Sequence, residues 1–134
     1  MTNPIQMPVR PVPADYSADR FENQAISLFE LFKASLGATG QMPVRGKTFI
    51  NCTIEGPAVL LALGGVDFDG CDLGPSNGDP ASLILRPVSK KGVTGVIAVE
   101  NCSFKDCNFF AVGYTGPEAF ISRMLEVLEP KSNA

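Results

Sequence analysis

The chain has 134 residues, a length that favours one domain with a core of its own. Its formal net charge is −3, so it lacks the basic surface that binding to a nucleic acid requires. No apolar run approaches the roughly 20 residues of a membrane-spanning helix, and we therefore expect no membrane contact.

The N-terminal region is predicted to be an extended arm over residues 1–14, because its four prolines each fix φ and remove a backbone donor. The pentapeptide QMPVR occurs there at 6–10 and again at 41–45. A repeat this short is either a coincidence or a sign that both copies lie extended in equivalent grooves. The sequence leaves both interpretations open.

An amphipathic helix is predicted over residues 15–37. Asp15 or Ser17 can cap its N-terminus, and Gly37 suits its C-terminal end. Apolar residues recur at helical spacing along one side, namely Phe21, Ala25, Leu28, Phe29, Phe32 and Leu36. So wide an apolar side indicates packing against a large surface.

A short motif dominates the chain from residue 46 to residue 116. The pattern hydrophobe-x-(Asn/Gly/Asp)-Cys-x-hydrophobe begins at Phe49, Phe68, Val99 and Phe104. Asn51, Gly70, Asn101 and Asp106 occupy its third position, and these residue types accept a left-handed backbone. Between 97 and 116 the apolar residues recur every five positions, which suits neither a helix nor a single strand. We predict a β-solenoid of about three coils over 46–116.

Aligning the copies of the motif predicts which residues stack in successive coils. The alignment places Cys52, Cys71 and Cys102 in one interior stack. It places Val59, Leu83 and Phe109 in another. Polar loops at 75–80 and 86–95 interrupt the coils, and each is either a binding surface or a plain solvated loop.

A second helix is predicted over residues 117–129, with Pro117 and Glu118 in its first turn. Its apolar side consists of Phe120, Ile121, Met124, Leu125 and Leu128. The end of a solenoid exposes strand edges and core residues, so we expect this helix or the first one to cap it.

The run Cys102-x-Phe104-x-x-Cys107-x-Phe109 resembles the pentapeptide-repeat proteins, as do Cys71-Asp-Leu-Gly-Pro and Cys107-Asn-Phe-Phe-Ala. More broadly, 47–116 resembles right-handed parallel β-helix proteins, in particular short bacterial chains that carry F-x-x-C-x-I-x-G-P-A. The resemblance implies a mainly β fold, a short right-handed parallel β-helix with an N-terminal amphipathic helix and a C-terminal capping helix. The chain departs from the pentapeptide pattern in its single uninterrupted run and its long apolar stretches. The resemblance implies no activity.

The four cysteines and the absence of histidine bear on metals and redox state. No C-x-x-C pair occurs, so we expect no zinc site, and no calcium loop or cofactor motif is present either. The N-terminus lacks the hydrophobic core of a signal peptide, which favours a cytoplasmic protein with reduced thiols.

Two functions remain open on the sequence alone. The first is a non-catalytic, self-associating interaction or assembly module, favoured because no nucleophile motif or phosphate-binding loop is present. Several strands are apolar at every position, so we predict an outward apolar face that forms a homo-oligomer, most simply a dimer; another protein partner is possible. The predicted interface residues are Leu60, Ile84, Phe110, Phe29 and Phe32.

The alternative is a carbohydrate-active enzyme or a carbohydrate-binding protein of the β-helix class. Paired carboxylates perform acid–base chemistry in such enzymes. The candidate residues are Asp67, Asp69, Asp72 and Glu100. Because these acids alternate with core positions, we expect them to face solvent without a catalytic role.

Overall fold

The computed structural model describes residues 10–39, 43–74, 80–89 and 92–128. Nine strands and two helices form it, together with a 3-10 helix at Pro80–Leu83. The strands are β1 Arg20–Glu22, β2 Ala25–Ser27, β3 Val44–Arg45, β4 Thr48–Ile50, β5 Thr53–Ala62, β6 Asp67–Asp69, β7 Ile97–Glu100, β8 Ser103–Lys105 and β9 Asn108–Thr115. The helices are α1 Leu28–Thr39 and α2 Glu118–Leu128. Residues 6–9 and 41–42 of the two QMPVR copies and residues 75–79 of the predicted loop at 75–80 lie outside the described residues.

The strands form two parallel sheets, which confirms the prediction of a mainly β fold. One sheet has the order β1-β4-β8-β6, and the other has the order β2-β5-β7-β3, with β9 also paired to β5. Every strand pair is parallel, and most pairs join residues far apart in the chain. Parallel neighbours need long connections, so the short strands are linked around a common core rather than by hairpins.

The order of the strands differs from the order of the sequence. Phe49 of β4 pairs with Phe104 of β8, and Phe104 pairs on its other side with Phe68 of β6. Strand β8 therefore lies between β4 and β6, and β9 lies between β5 on one side and Asp72 and Ile84 on the other. Strand β7 lies between β3 and the end of β5. The C-terminal strands fill the middle of the sheets, whereas β6 forms an edge.

The corners between strands confirm the predicted turn residues. Asn51, Asn101 and Asp106 have φ values of 52°, 54° and 55°, and Gly70 has φ of 65°. This left-handed backbone is open to Asn, Asp and Gly at low cost. Stacked corners also bond to each other, since the Asn51 side-chain amide donates to the Asn23 side-chain oxygen at 2.6 Å.

The predicted helix over 15–37 is wrong in its first half. Residues 20–22 and 25–27 are strands, and α1 begins only at Leu28. Phe21 pairs with Phe49 and Ile26 pairs with Ile54, so both side chains point into the core from adjoining strands. The left-handed Asn23 breaks any helix between them.

The predicted cysteine stack is wrong in one member. The Asn108 N–H donates to the Cys52 carbonyl, and the Asp72 N–H donates to the Cys107 carbonyl, both at 2.9 Å. The actual stack is therefore Cys52, Cys107 and Cys71. Cys102 lies at a different corner. On one side the carbonyl of Lys47 accepts the Ser103 N–H, and on the other side the Cys102 carbonyl accepts the Asp67 N–H.

The second predicted stack is wrong for the same reason. Phe109 is buried, as predicted, but it pairs with Ile54, whereas Val59 pairs with Gly113. The motifs at Asn101-Cys102 and Asp106-Cys107 are locally alike. The predicted alignment matches the first of them to the Cys52 motif, whereas the sheet pairs the second with it. The predicted register is therefore wrong by five residues.

The core is an apolar interior closed by both helices. A ring stack, defined here as Phe21, Phe49, Phe104 and Phe68, runs along it. Leu28 and Leu31 of α1 are buried in this core. So are Phe120, Ile121 and Met124 of α2, which the sequence predicts on the apolar side of that helix, and Leu125 of the same side is partly buried.

Candidate functional site

The prediction that Leu60 belongs to an outward interface is wrong, because its side chain is fully buried. Leu60 lies between Ile97 and Tyr114 in the sheet and shares the inward side of β5 with Ile54 and Ala62. The misaligned motif predicts that Val59 faces the core and that Leu60 faces outward. With the register that the sheet has, the inward and outward sides of β5 are exchanged.

Ile84 and Phe110 are both partly buried, and they do not form one apolar face with Leu60. Phe110 lies opposite Glu55 of β5 in the sheet. Ile84 lies beside Tyr114 at the other end of β9. A carboxylate next to Phe110 interrupts the surface that the sequence predicted to be continuously apolar.

The outer face of helix α1, defined as Phe29, Phe32 and Leu36, is the clearest apolar surface among the predicted interface residues. The exposed fractions of Phe29 and Leu36 are 58% and 40%, and Phe32 is partly exposed. Residues at this spacing lie on one side of a helix. The rings of Phe29 and Phe32 also contact each other, with centroids 6.4 Å apart. Helix α1 therefore buries one side in the core and presents a second apolar side to solvent.

The start of α1 is fixed by a local signal. The Ser27 hydroxyl accepts a hydrogen bond from the Glu30 N–H at 3.3 Å, as an N-cap residue does. The Tyr16 hydroxyl in turn accepts the Ser27 N–H at 3.1 Å. Ser27-Leu-Phe-Glu30 matches the capping-box pattern, a signal that could have placed the start of this helix from sequence.

The charges beside the outer face of α1 are already paired within the helix. The Lys33 ammonium lies 3.4 Å from the Glu30 carboxylate and 5.1 Å from the centre of the Phe29 ring. These partners are well exposed, so the ion pair contributes little to stability. Its consequence is that the apolar face carries no net charge of its own.

The acidic residues of the alternative function do not assemble into one site. Asp67 and Asp69 are exposed on β6, and the Asp72 carboxylate accepts the Gly74 N–H at 3.0 Å. Glu100 belongs to the other sheet, where its carboxylate pairs with the Arg45 guanidinium at 2.7 Å. Across 10–39, 43–74, 80–89 and 92–128, no group of three or more acidic, Cys or His residues is arranged to hold a metal ion.

The cysteines are free thiols that close the corners of the core. The thiols of Cys52, Cys107 and Cys71 donate to the carbonyls of Phe21, Phe49 and Phe104, at 3.5, 3.4 and 3.3 Å. Each thiol thus satisfies a carbonyl of the neighbouring strand while filling a small corner.

The thiols of the cysteine stack influence one another's acidity. A hydrogen bond with the Cys107 thiol lowers the pKa of Cys52 to about 7, although burial acts in the opposite direction. The pKa of Cys107 is raised by its hydrogen bonds to Cys52 and Cys71 and by burial. Burial also raises the pKa of Cys102. The central thiol therefore keeps its proton more firmly than the thiols of Cys52 and Cys71 do.

Comparison with protein-family models, with curated proteins and with solved structures finds no match to this chain. In the part of the chain that the structure describes, neither helix is long and apolar enough to cross a membrane. The outer face of α1 is the candidate functional site that remains from the sequence prediction.

Proposed function

We propose that this chain is a non-catalytic module that self-associates, most simply as a symmetric dimer, through the outer face of helix α1. The observation that carries the proposal is the exposure of Phe29, whose side chain is 58% accessible beside Phe32 and Leu36. Adjacent exposed aromatic and aliphatic side chains mark interaction sites more often than isolated ones do.

The proposal takes the framework to be a short right-handed parallel β-helix with two interleaved windings. Residues 44–84 form one winding, and residues 97–115 form the other. The pairing of Leu60 with Ile97 on one side and with Tyr114 on the other supports this, because residues 97–115 then pass on both sides of β5. A framework of this kind holds α1 rigidly, since Leu28 and Leu31 anchor the helix in the core.

A second copy of the chain suits the outer face of α1. A two-fold axis near Phe32 brings Phe29 of each copy against the other copy's Leu36, because these residues lie on either side of Phe32. Such an interface uses the same patch twice, as closed dimers do. Because Glu30 and Lys33 pair with each other, neither of them presents an unpaired charge beside this face to repel the second copy.

The test is the molar mass in solution of the full chain and of a Phe29→Glu variant, measured by light scattering after size exclusion. The wild type is expected to have twice the mass of one chain at micromolar concentration. Phe29→Glu is expected to be a monomer, because each interface would then bury two unpaired carboxylates. Val88→Glu is the matched control, since Val88 is fully exposed outside this face.

A dimeric Phe29→Glu variant would contradict the assignment of the interface. A wild type that stays monomeric throughout would contradict self-association itself. Equal disruption by Phe29→Glu and Val88→Glu would show that added charge, and not the α1 face, decides the assembly.

A further inference from the structure

A cavity lies at the β6 end of the ring stack. Strand β6 is an edge of its sheet, so Phe68 is the last ring of the stack. The cavity has a volume of about 480 Å³. Its lining includes Phe68, Cys71, Leu73, Phe120, Arg123 and Met124. This volume is in the range of small-molecule sites, whose walls are mostly apolar with a few polar groups.

Among the residues that the structure describes, no further ring continues the ring stack beyond Phe68 on the cavity side. Successive centroids along it are 5.3, 4.8 and 5.2 Å apart, and the rings are parallel to within 11°. Phe104 stacks on one face of the Phe68 ring, and the rings of Phe109 and Tyr114 contact it edge-to-face. The ring of Phe120, on the other wall of the cavity, is tilted by 43° at 6.5 Å and does not continue the stack. A flat ring entering the cavity can therefore stack on Phe68 as Phe104 does.

The cavity also contains an unpaired positive charge. Arg123, on the exposed side of α2, is the basic residue among the lining side chains. Unlike Arg86, which binds the Glu118 carboxylate at two points, Arg123 has no ion-pair partner in the described part of the chain. A guanidinium is suited to bind a carboxylate through two parallel hydrogen bonds.

We propose that this cavity binds a small flat aromatic carboxylate, whose ring stacks on Phe68 and whose carboxylate pairs with Arg123. The lining also includes the exposed acid Asp67, and Arg123 is the lining residue that can offset this charge for an anion. The site is separate from the outer face of α1, and its occupancy does not depend on self-association.

Cys71 reports on this site, because this residue lines the cavity and is partly exposed, whereas the other three cysteines are buried. A hydrogen bond with the Cys107 thiol lowers the pKa of Cys71, which favours its reaction with alkylating reagents. A ligand stacked on Phe68 shields this thiol.

The first experiment is calorimetric titration of the full chain with three probes. Naphthalene-2-carboxylate carries both features, cyclohexanecarboxylate lacks the aromatic ring, and 2-naphthylmethylammonium reverses the charge. Only naphthalene-2-carboxylate is expected to bind, with a one-to-one stoichiometry. Phe68→Leu and Arg123→Gln are each expected to weaken it at least tenfold, and Val88→Ala, at a fully exposed position outside the cavity, is expected to leave it unchanged. Equal binding of all three probes, or no binding of naphthalene-2-carboxylate, overturns the proposal.

The second experiment locates the ligand without any substitution. Alkylation by iodoacetamide is followed at each cysteine by peptide mass spectrometry, with and without naphthalene-2-carboxylate. We expect the rate at Cys71 to fall several-fold in the presence of the probe. An unchanged rate at Cys71 under saturating probe contradicts the site. This result stands even if the Phe68→Leu variant fails to fold, because the experiment uses the unsubstituted chain.

Discussion

Phe104 occupies the centre of the ring stack, fully buried between Phe49 and Phe68. We expect Phe104→Ala to lower the free energy of unfolding by about 3–5 kcal/mol, through lost burial and the cavity left behind. Urea unfolding at neutral pH measures this loss. Val88→Ala is the control and is expected to change stability far less, because Val88 is fully exposed outside the proposed interface. A loss below about 1 kcal/mol for Phe104→Ala would place this ring outside the core.

Tyr114 predicts a pH dependence of stability. Its hydroxyl donates to the Leu73 carbonyl at 2.8 Å, and burial raises its pKa above the ordinary value of 10.0. A raised pKa means that the folded chain keeps this proton when the unfolded chain releases it. The contribution of Tyr114 is therefore complete below pH 10 and is lost as the pH rises beyond that value.

The test for Tyr114 compares the wild type with Tyr114→Phe. At neutral pH the variant is expected to be less stable by about 1–3 kcal/mol, because the Leu73 carbonyl loses its donor. At about pH 11 the difference is expected to shrink, since only the wild type must keep a neutral tyrosine hydroxyl in the core. A difference that stays constant between the two pH values would contradict the role of the proton.

At the level of single residues, the sequence is enough to predict which residues form the corners between strands, and that the hydrophobic positions of the cysteine motif face the core. Asn51, Asn101 and Asp106 each tolerate a left-handed backbone for a local reason, so residue type alone identified them. The partner of each corner could not be predicted in the same way. Cys102 and Cys107 follow equally good turn residues, and only the register of the sheet shows that Cys107 lies beside Cys52.

At the level of elements, two glycine substitutions have opposite expected effects on stability. Gly65 lies in the turn between β5 and β6, and Gly37 lies in helix α1. Gly65 has φ of 75°, and a Cβ there would lie 2.1 Å from the Asn101 side-chain oxygen. Gly65→Ala is therefore expected to cost about 1–3 kcal/mol. Gly37→Ala, where a Cβ would meet nothing within 4 Å, is expected to stabilise α1 by about 0.5–1 kcal/mol. Thermal or urea unfolding of both variants checks the opposite signs. An unchanged stability of Gly65→Ala would contradict the account of the turn, and destabilisation by Gly37→Ala would contradict the account of α1.

The first predicted helix shows how an element can be misassigned from periodicity. Phe21, Ala25 and Leu28 have helical spacing, yet Phe21 and Ile26 belong to two strands separated by Asn23. The segment Phe21-Glu-Asn-Gln-Ala-Ile26 follows the corner motif with Gln24 in the place of cysteine. Because the motif was defined by its cysteine, this copy was missed and the helix was extended over it.

At the level of the whole molecule, the position of residues 97–115 could not be predicted from the sequence. Repeats in solenoids usually contact their neighbours in sequence, which led to the predicted order of coils. Here the C-terminal strands lie between β4 and β6 and between β5 and the residues after β6. Contacts so distant in sequence predict slow folding relative to a sequential arrangement of the same size.

The order of the rings Phe21, Phe49, Phe104 and Phe68 tests this arrangement most directly, and it also decides whether Phe68 is free to bind a ligand. The measurement is a nuclear Overhauser spectrum with selectively labelled phenylalanine rings. We expect contacts from Phe104 to both Phe49 and Phe68, whose centroids are 4.8 and 5.2 Å away. No direct contact is expected between Phe49 and Phe68, because Phe104 separates them. A strong Phe49–Phe68 contact with none between Phe104 and Phe68 would show sequential coils and contradict the account.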